Sequence, residues 1–191
     1  MKQIQSGDVL LFADATRLRL FPPLRSAWAL CGQQAVVPVS GRHDRRVLFG
    51  AFNPRTAHRI VVQSQRETGP GARALLAELR RRYRAAPTIW VLLDRGPAHT
   101  AAPTPRLAAE LNMQLIWLPK QWPELHAMDQ LWRELKRLVA ANRQAETVDH
   151  LAQQAENWLL ELSPQEALRK AGVLSENFWL RQLLRNLWPP T

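Results

Sequence analysis

Apolar positions fall along the chain in short blocks whose spacing changes near residue 70. Asp8–Asp14 (DVLLFAD) is a brief apolar run of the kind that forms a buried strand ending in an acid. Ala35–Val39, Arg46–Phe52 and Arg59–Gln63 are further extended runs, separated by Ser40-Gly41 and Asn53-Pro54. These runs predict neighbouring antiparallel strands. After Gly69-Pro70-Gly71, residues Leu75, Leu76, Leu79 and Tyr83 follow helical spacing up to Pro87. Ile89–Leu93 (IWVLL) predicts a second buried strand, stopping at Asp94. A strand, a helix and a strand in succession imply a crossover and therefore a mixed sheet. Thr104-Pro105 is placed to cap a short helix through Leu111, and Gln114–Leu118 reads as another strand.

From Pro123 the pattern predicts one long helix to about Asn142, striped by Met128, Leu131, Trp132, Leu135, Leu138 and Val139. Asp129 stands at the rim of that stripe, with Lys136 two turns on. The last third is helical. Ser163-Pro164-Gln165-Glu166 is a capping box, Gly172 a helix stop, and Leu180, Leu183, Leu184 and Leu187 stripe a final helix ended by Pro189-Pro190. The division expected is 1–142 as one α/β domain and 143–191 as a helical extension packed on it.

Charge changes the picture. The chain has 191 residues and a net charge of +10, and 22 of its 26 basic residues are arginine. Arginine grips phosphate through a planar fork of donors, so a polyanionic partner is expected. The run Arg80, Arg81, Arg82 and Arg84 reads first as a solvated face at a helix end. A single cysteine, Cys31, excludes a disulfide framework and a cysteine zinc site. No apolar stretch is long enough to span a bilayer, so no membrane partner is expected and the location expected is cytoplasmic.

Aspartates at strand ends are commonly turn residues. Two on adjacent strands can instead share a hard cation, which takes oxygen ligands. Two such cations clamp the attacking and leaving oxygens of a phosphodiester, and that arrangement needs a third carboxylate. Asp14, Asp94 and Asp129 are the candidates.

The segments FADATRLRLFPPLRSAWALCGQ, VLLDRGPAHTA and LPKQWPELHAMDQLWRELKR together resemble the three motifs of the DDE/D transposases of the mariner superfamily, in its bacterial insertion-sequence branch. In that family 34 residues separate the last two acids, and 34 lie between Asp94 and Asp129 here. Three departures stand out: Ala15 and Arg95 replace an acid and an asparagine, and His126-Ala127-Met128-Asp129 replaces Asn-Pro-Ile-Glu.

The resemblance implies an α/β (α+β) fold, an RNase H-like mixed five-stranded sheet flanked by helices. It implies a transposase catalytic domain with Asp14, Asp94 and Asp129 as catalytic metal ligands for two Mg²⁺ or Mn²⁺ ions. Transposon ends and target DNA are the implied partners. Lys136, Arg133, Arg95 and His99 are candidate DNA contacts, and Trp122 a candidate for stacking on an unpaired base. His99 reads equally as a packing or helix-start histidine, and His126 as a polar helix-start residue. Only seven residues precede the first strand, so the helix-turn-helix region of such proteins is expected to be absent. Action as a homodimer, or with a separate N-terminal recognition subunit, follows. The competing functional readings are a non-enzymatic DNA-binding remnant and a general RNase H-like nuclease.

Overall fold

A computed structural model describes residues 4–5, 7–119 and 125–187 of the chain. Five strands form one sheet: β1 (Val9–Arg19), β2 (Arg45–Phe52), β3 (Arg59–Ser64), β4 (Ile89–Leu93) and β5 (Met113–Trp117), in the order β3-β2-β1-β4-β5. The first three pair antiparallel, while β4 joins β1, and β5 joins β4, in parallel. Helix α1 (Gly69–Arg82) makes the crossover from β3 to β4. The short helices α2 (Pro97–Thr100) and α3 (Pro103–Glu110) make the crossover from β4 to β5. This is the mixed sheet that the sequence predicts.

Strand alternation divides the apolar residues into two layers. Leu10, Phe12 and Leu18 of β1 face α4 (Ala127–Leu135) and α5 (Val148–Glu161). Leu11 and Ala13 face α1 and the α2–α3 pair. α5 extends the first layer with Leu151, Ala152, Ala155 and Leu159. The Arg59 guanidinium donates to the carbonyls of Leu159, Leu160 and Leu162, closing the C-terminal end of α5 onto β3. The capping box at Ser163 and Glu166 starts α6 (Pro164–Lys170), and Gly172 follows it with φ 74°. The last described helix is α7 (Arg181–Leu187).

The structure corrects several expectations. β1 does not end at Asp14 but continues five residues further, because β2 goes on supplying backbone partners from Gly50 to Arg45. Ala35–Val39 is not a strand. Its β-branched residues favour extension, yet no neighbour pairs with it, Pro38 lacks an N–H, and Val36 is exposed. The short helix starts at Pro103 rather than being capped by Thr104, whose hydroxyl donates to Ala98 O at 3.0 Å. The long helix gives way after Leu135 to a wider π-helical turn, Lys136–Ala140, which keeps both Val139 and Ala140 buried. Trp122, the helix start at Pro123 and the stop at Pro189-Pro190 lie outside the described residues.

The connection from β1 to β2 is long and largely exposed, with Trp28, Leu30 and Val36 open to solvent. It is tied to the segment after α4. Asn142 exchanges two hydrogen bonds with the Arg25 backbone (2.7 and 2.9 Å), and Gln144 exchanges two with Ser40 (both 2.6 Å).

Candidate active site

Asp14 sits where the sheet changes character. Val9–Phe12 of β1 pair with β4 and Phe12–Arg19 pair with β2, so the strand exchanges one neighbour for the other at Phe12, two residues before Asp14. The parallel pairs run from Val9 opposite Ile89 to Phe12 opposite Leu92. Carrying that pairing two residues further sets Asp94 beside Asp14, just outside the carboxyl end of β4, where α/β sheets hold ligands. The Asp94 side chain is exposed and turned back on its own loop. It accepts from Gly96 N at 3.0 Å and lies 3.7 Å from His99 Nε2.

The third acid comes from α4, which packs on β1 and β2. Its apolar side, Met128, Leu131, Trp132 and Leu135, is buried in the sheet. Close approach depends on Gly50, the partner of Asp14 across the β1–β2 ladder. A Cβ there would lie 2.5 Å from the Trp132 ring and 2.6 Å from Met128 Cε. With this face seated, Asp129 lies in the first helical turn, near enough to act electrostatically on Asp14, and its carboxylate lies 3.5 Å from Arg133 Nη2.

The three acids act on one another. Burial is the largest cause that pushes the Asp14 carboxyl up to about 7, and the like charges of Asp94 and Asp129 add to it. The Ala15 N–H and Lys136 pull the other way. Burial likewise lowers Lys136, while Asp129, Asp14 and Glu67 oppose that shift. Lys136 thus faces the same acids as a half-buried cation. Among the described residues, no three His, Cys, Asp or Glu side chains stand close enough to hold one ion as they are placed. Asp94 and Asp129 are near enough to act on Asp14, while Asp94 is engaged by Gly96 and Asp129 faces Arg133.

Protonated Asp14 has a measurable consequence. In metal-free protein the fold keeps this proton up to about pH 7, whereas the unfolded chain loses it near the ordinary 3.8. The folded state therefore binds the extra proton between those values, and stability falls as pH rises from about 4 to about 7. Asp14→Asn should flatten that dependence and raise Tm above pH 7. Thermal unfolding across this range checks it, and an unchanged slope in the variant would rule out Asp14 as the source.

The other candidates are placed as follows. His99 is buried against the edge of Phe49 with ring centroids 6.2 Å apart, and burial lowers its pKa. Arg95 and Arg133 are exposed at the rim. His126 stands at the N-cap of α4, the helix-start place expected of it, but its side chain makes no capping bond. It is 5% exposed, its Nε2 lies 3.1 Å from Ala13 O, and its Nδ1 has no described partner. Burial brings its pKa down to about 4, so the ring is neutral and Nε2–H donates to that carbonyl. The ring thereby pins the start of α4 to the residue before Asp14.

Asp8 was missed. Buried at the start of β1, it accepts from Gln5 N, Thr88 N and Trp90 Nε1 and fixes the entry of β4 beside β1. Glu67 is the second, paired with Arg17 at 2.5 Å and close enough to act on His99 and Lys136. Only the spacing of acids around a strand could have flagged Asp8; nothing local marks Glu67.

Known proteins agree with this architecture. A protein of insertion element IS630 from Shigella sonnei, described as an uncharacterized 39 kDa protein, is 24% identical over 156 residues, covering 81% of this chain and 46% of its own length. Two solved structures share the fold. The Mos1 mariner paired-end complex with Mg has a TM-score of 0.68 at 14% identity, covering 90% of this chain and 54% of that one. The complex with Mn has a TM-score of 0.67 at 14% identity, covering 88% and 53%. The chain thus spans about half the length of these relatives. The sequence pattern of the DDE superfamily endonucleases matches residues 9–152, which include all three candidate acids, and the protein belongs to that family.

Proposed function

We propose that this chain is the catalytic domain of an insertion-sequence transposase, cutting and rejoining DNA strands at Asp14, Asp94 and Asp129. The observation that supports the reading is that Asp94, at the end of the strand paired parallel with β1, and Asp129 and Lys136, from the α4 segment, all act electrostatically on the buried Asp14.

The donor set fits a hard divalent cation such as Mg²⁺ or Mn²⁺: three carboxylates, with Asp14 raised to about 7 first by burial and then by the charges of Asp94 and Asp129. Asp14 and Asp94 would hold the ions jointly, and Asp129 would complete one shell by giving up Arg133. Divalent ions held there would lower the pKa of an attacking water or 3′-hydroxyl and offset charge on the scissile phosphate. The chain's own residues do the rest. His126 and the seating of α4 over Gly50 set the height of Asp129 above the sheet. His99 and Gly96 N limit the swing of Asp94. Lys136 is placed to meet a non-bridging phosphate oxygen, and Arg95, Arg133 and the overall +10 charge to draw the duplex in.

DNA is the partner in this reading. Incubation with supercoiled plasmid and Mg²⁺ or Mn²⁺ should give nicked circles, and EDTA should prevent it. Transfer of a labelled 3′-hydroxyl end into plasmid separates a transposase from a nuclease. Tight DNA binding without metal-dependent nicking would favour the non-enzymatic remnant instead.

A further inference from the structure

A cavity of about 860 Å³ opens beside Asp14, between the second half of β1 and the start of the β1–β2 connection. Its walls include Thr16, Arg17, Arg19, Phe21, His43 and Lys136. Its volume is within the ~300–1,000 Å³ typical of small-ligand clefts. At its mouth the Phe21 and His43 rings lie 5.4 Å apart and 15° from parallel, a stacked pair. Both residues are exposed, and the backbone bond from Leu20 N to Asp44 O (2.8 Å) holds the two ends of the connection together beneath them. Phe21 lies at the foot of β1 and His43 just ahead of β2, so the antiparallel ladder from Arg19–Arg45 upward fixes their spacing.

The cations around this platform are not equivalent. Arg17 is neutralised by Glu67. Among the described residues Arg19 forms no ion pair, and Lys136 faces both the cavity and Asp14. An exposed aromatic face flanked by cations recognises a base together with its phosphate. An intact duplex offers no free base face to such a platform, so the ligand is an unpaired nucleotide. Ala15 lines the cavity one residue from Asp14, and Lys136 belongs to both places. The cavity and the acids therefore lie along one strand path.

We propose that this cavity captures an unpaired nucleotide of the DNA strand that crosses Asp14, stacking its base on the Phe21–His43 pair and holding its phosphate with Arg19 and Lys136. The idea rests on the transposase reading for the strand path, but its test does not depend on catalysis.

Fluorescence anisotropy without divalent metal would compare a blunt duplex with the same duplex carrying a short single-stranded overhang. The expected result is tighter binding of the overhang. Phe21→Ala should weaken overhang binding about tenfold, since stacking contributes roughly 1–3 kcal/mol per base, with blunt-duplex affinity unchanged. Phe21→Trp, which keeps a ring, should retain the preference. Circular dichroism on each variant checks the fold. Equal loss on both DNAs, or an overhang preference that survives Phe21→Ala, would overturn the proposal. So would competition by a free deoxynucleoside monophosphate at the overhang's own affinity, because the cavity would then be a mononucleotide site. Failure of nicking by the wild-type protein would count against the transposase reading alone.

Discussion

Asp94→Asn is expected to abolish metal-dependent nicking while leaving DNA affinity unchanged or slightly higher. Loss of one ligand of a metal that contributes several kcal/mol to the transition state should cost about 10²–10⁴-fold in rate, at 1.36 kcal/mol per factor of ten. The substitution is mild for the fold. The Asp94 side chain is 57% exposed, and an asparagine oxygen can still accept from Gly96 N. Removing one negative charge also removes repulsion against phosphate, so binding should not suffer. Nicking assays and anisotropy on the same preparation decide it. A variant that folds normally but loses binding and cleavage together would argue against a metal-ligand role.

Gly50→Val is expected to give the largest structural effect of any single substitution at this site. A Cβ at residue 50 meets the rigid Trp132 ring at 2.5 Å, and Trp132 is itself fully buried. Met128 could swing its terminal methyl aside, but the indole has no room to do so. Overpacking of this kind costs about 1–3 kcal/mol or more. In a chain of this size that corresponds to a fall in Tm of roughly 3–10 °C. Nicking should fall further than stability predicts, because lifting α4 carries Asp129 away from Asp14. Gly50→Ala should show the same effect at smaller amplitude. A Gly50→Val protein with unchanged Tm and full nicking would show that Asp129 is not placed by this contact.

The amino-acid sequence determined the elements and the chemistry they carry. The apolar runs at Val47–Phe52, Ile60–Val62 and Ile89–Leu93 locate three strands because a buried strand needs a contiguous or alternating apolar set. The 3.6-residue spacing of Leu75, Leu76 and Leu79 and the Ser163–Glu166 box are local signals read by local physics, and both helices form there. The three acids were legible through the spacing of motifs that resemble a family, since no single aspartate declares itself.

What the tertiary structure decided depends on partners distant in sequence. β1 runs past Asp14 because β2 pairs with it there, and Ala35–Val39 forms no strand because nothing pairs with it. His126 reads as a polar helix-start residue, and only the packed structure shows its ring buried with Nε2 on the Ala13 carbonyl of β1. The glycine at position 50 carries no signal until Trp132 and Met128 are laid across it. The Phe21–His43 pair likewise exists only because antiparallel pairing brings the two ends of a 25-residue connection together. Periodicity reports which face of an element is apolar. Register, burial and the raised Asp14 carboxyl are set by which elements that face finally meets, and that choice is made by the packed sheet as a whole.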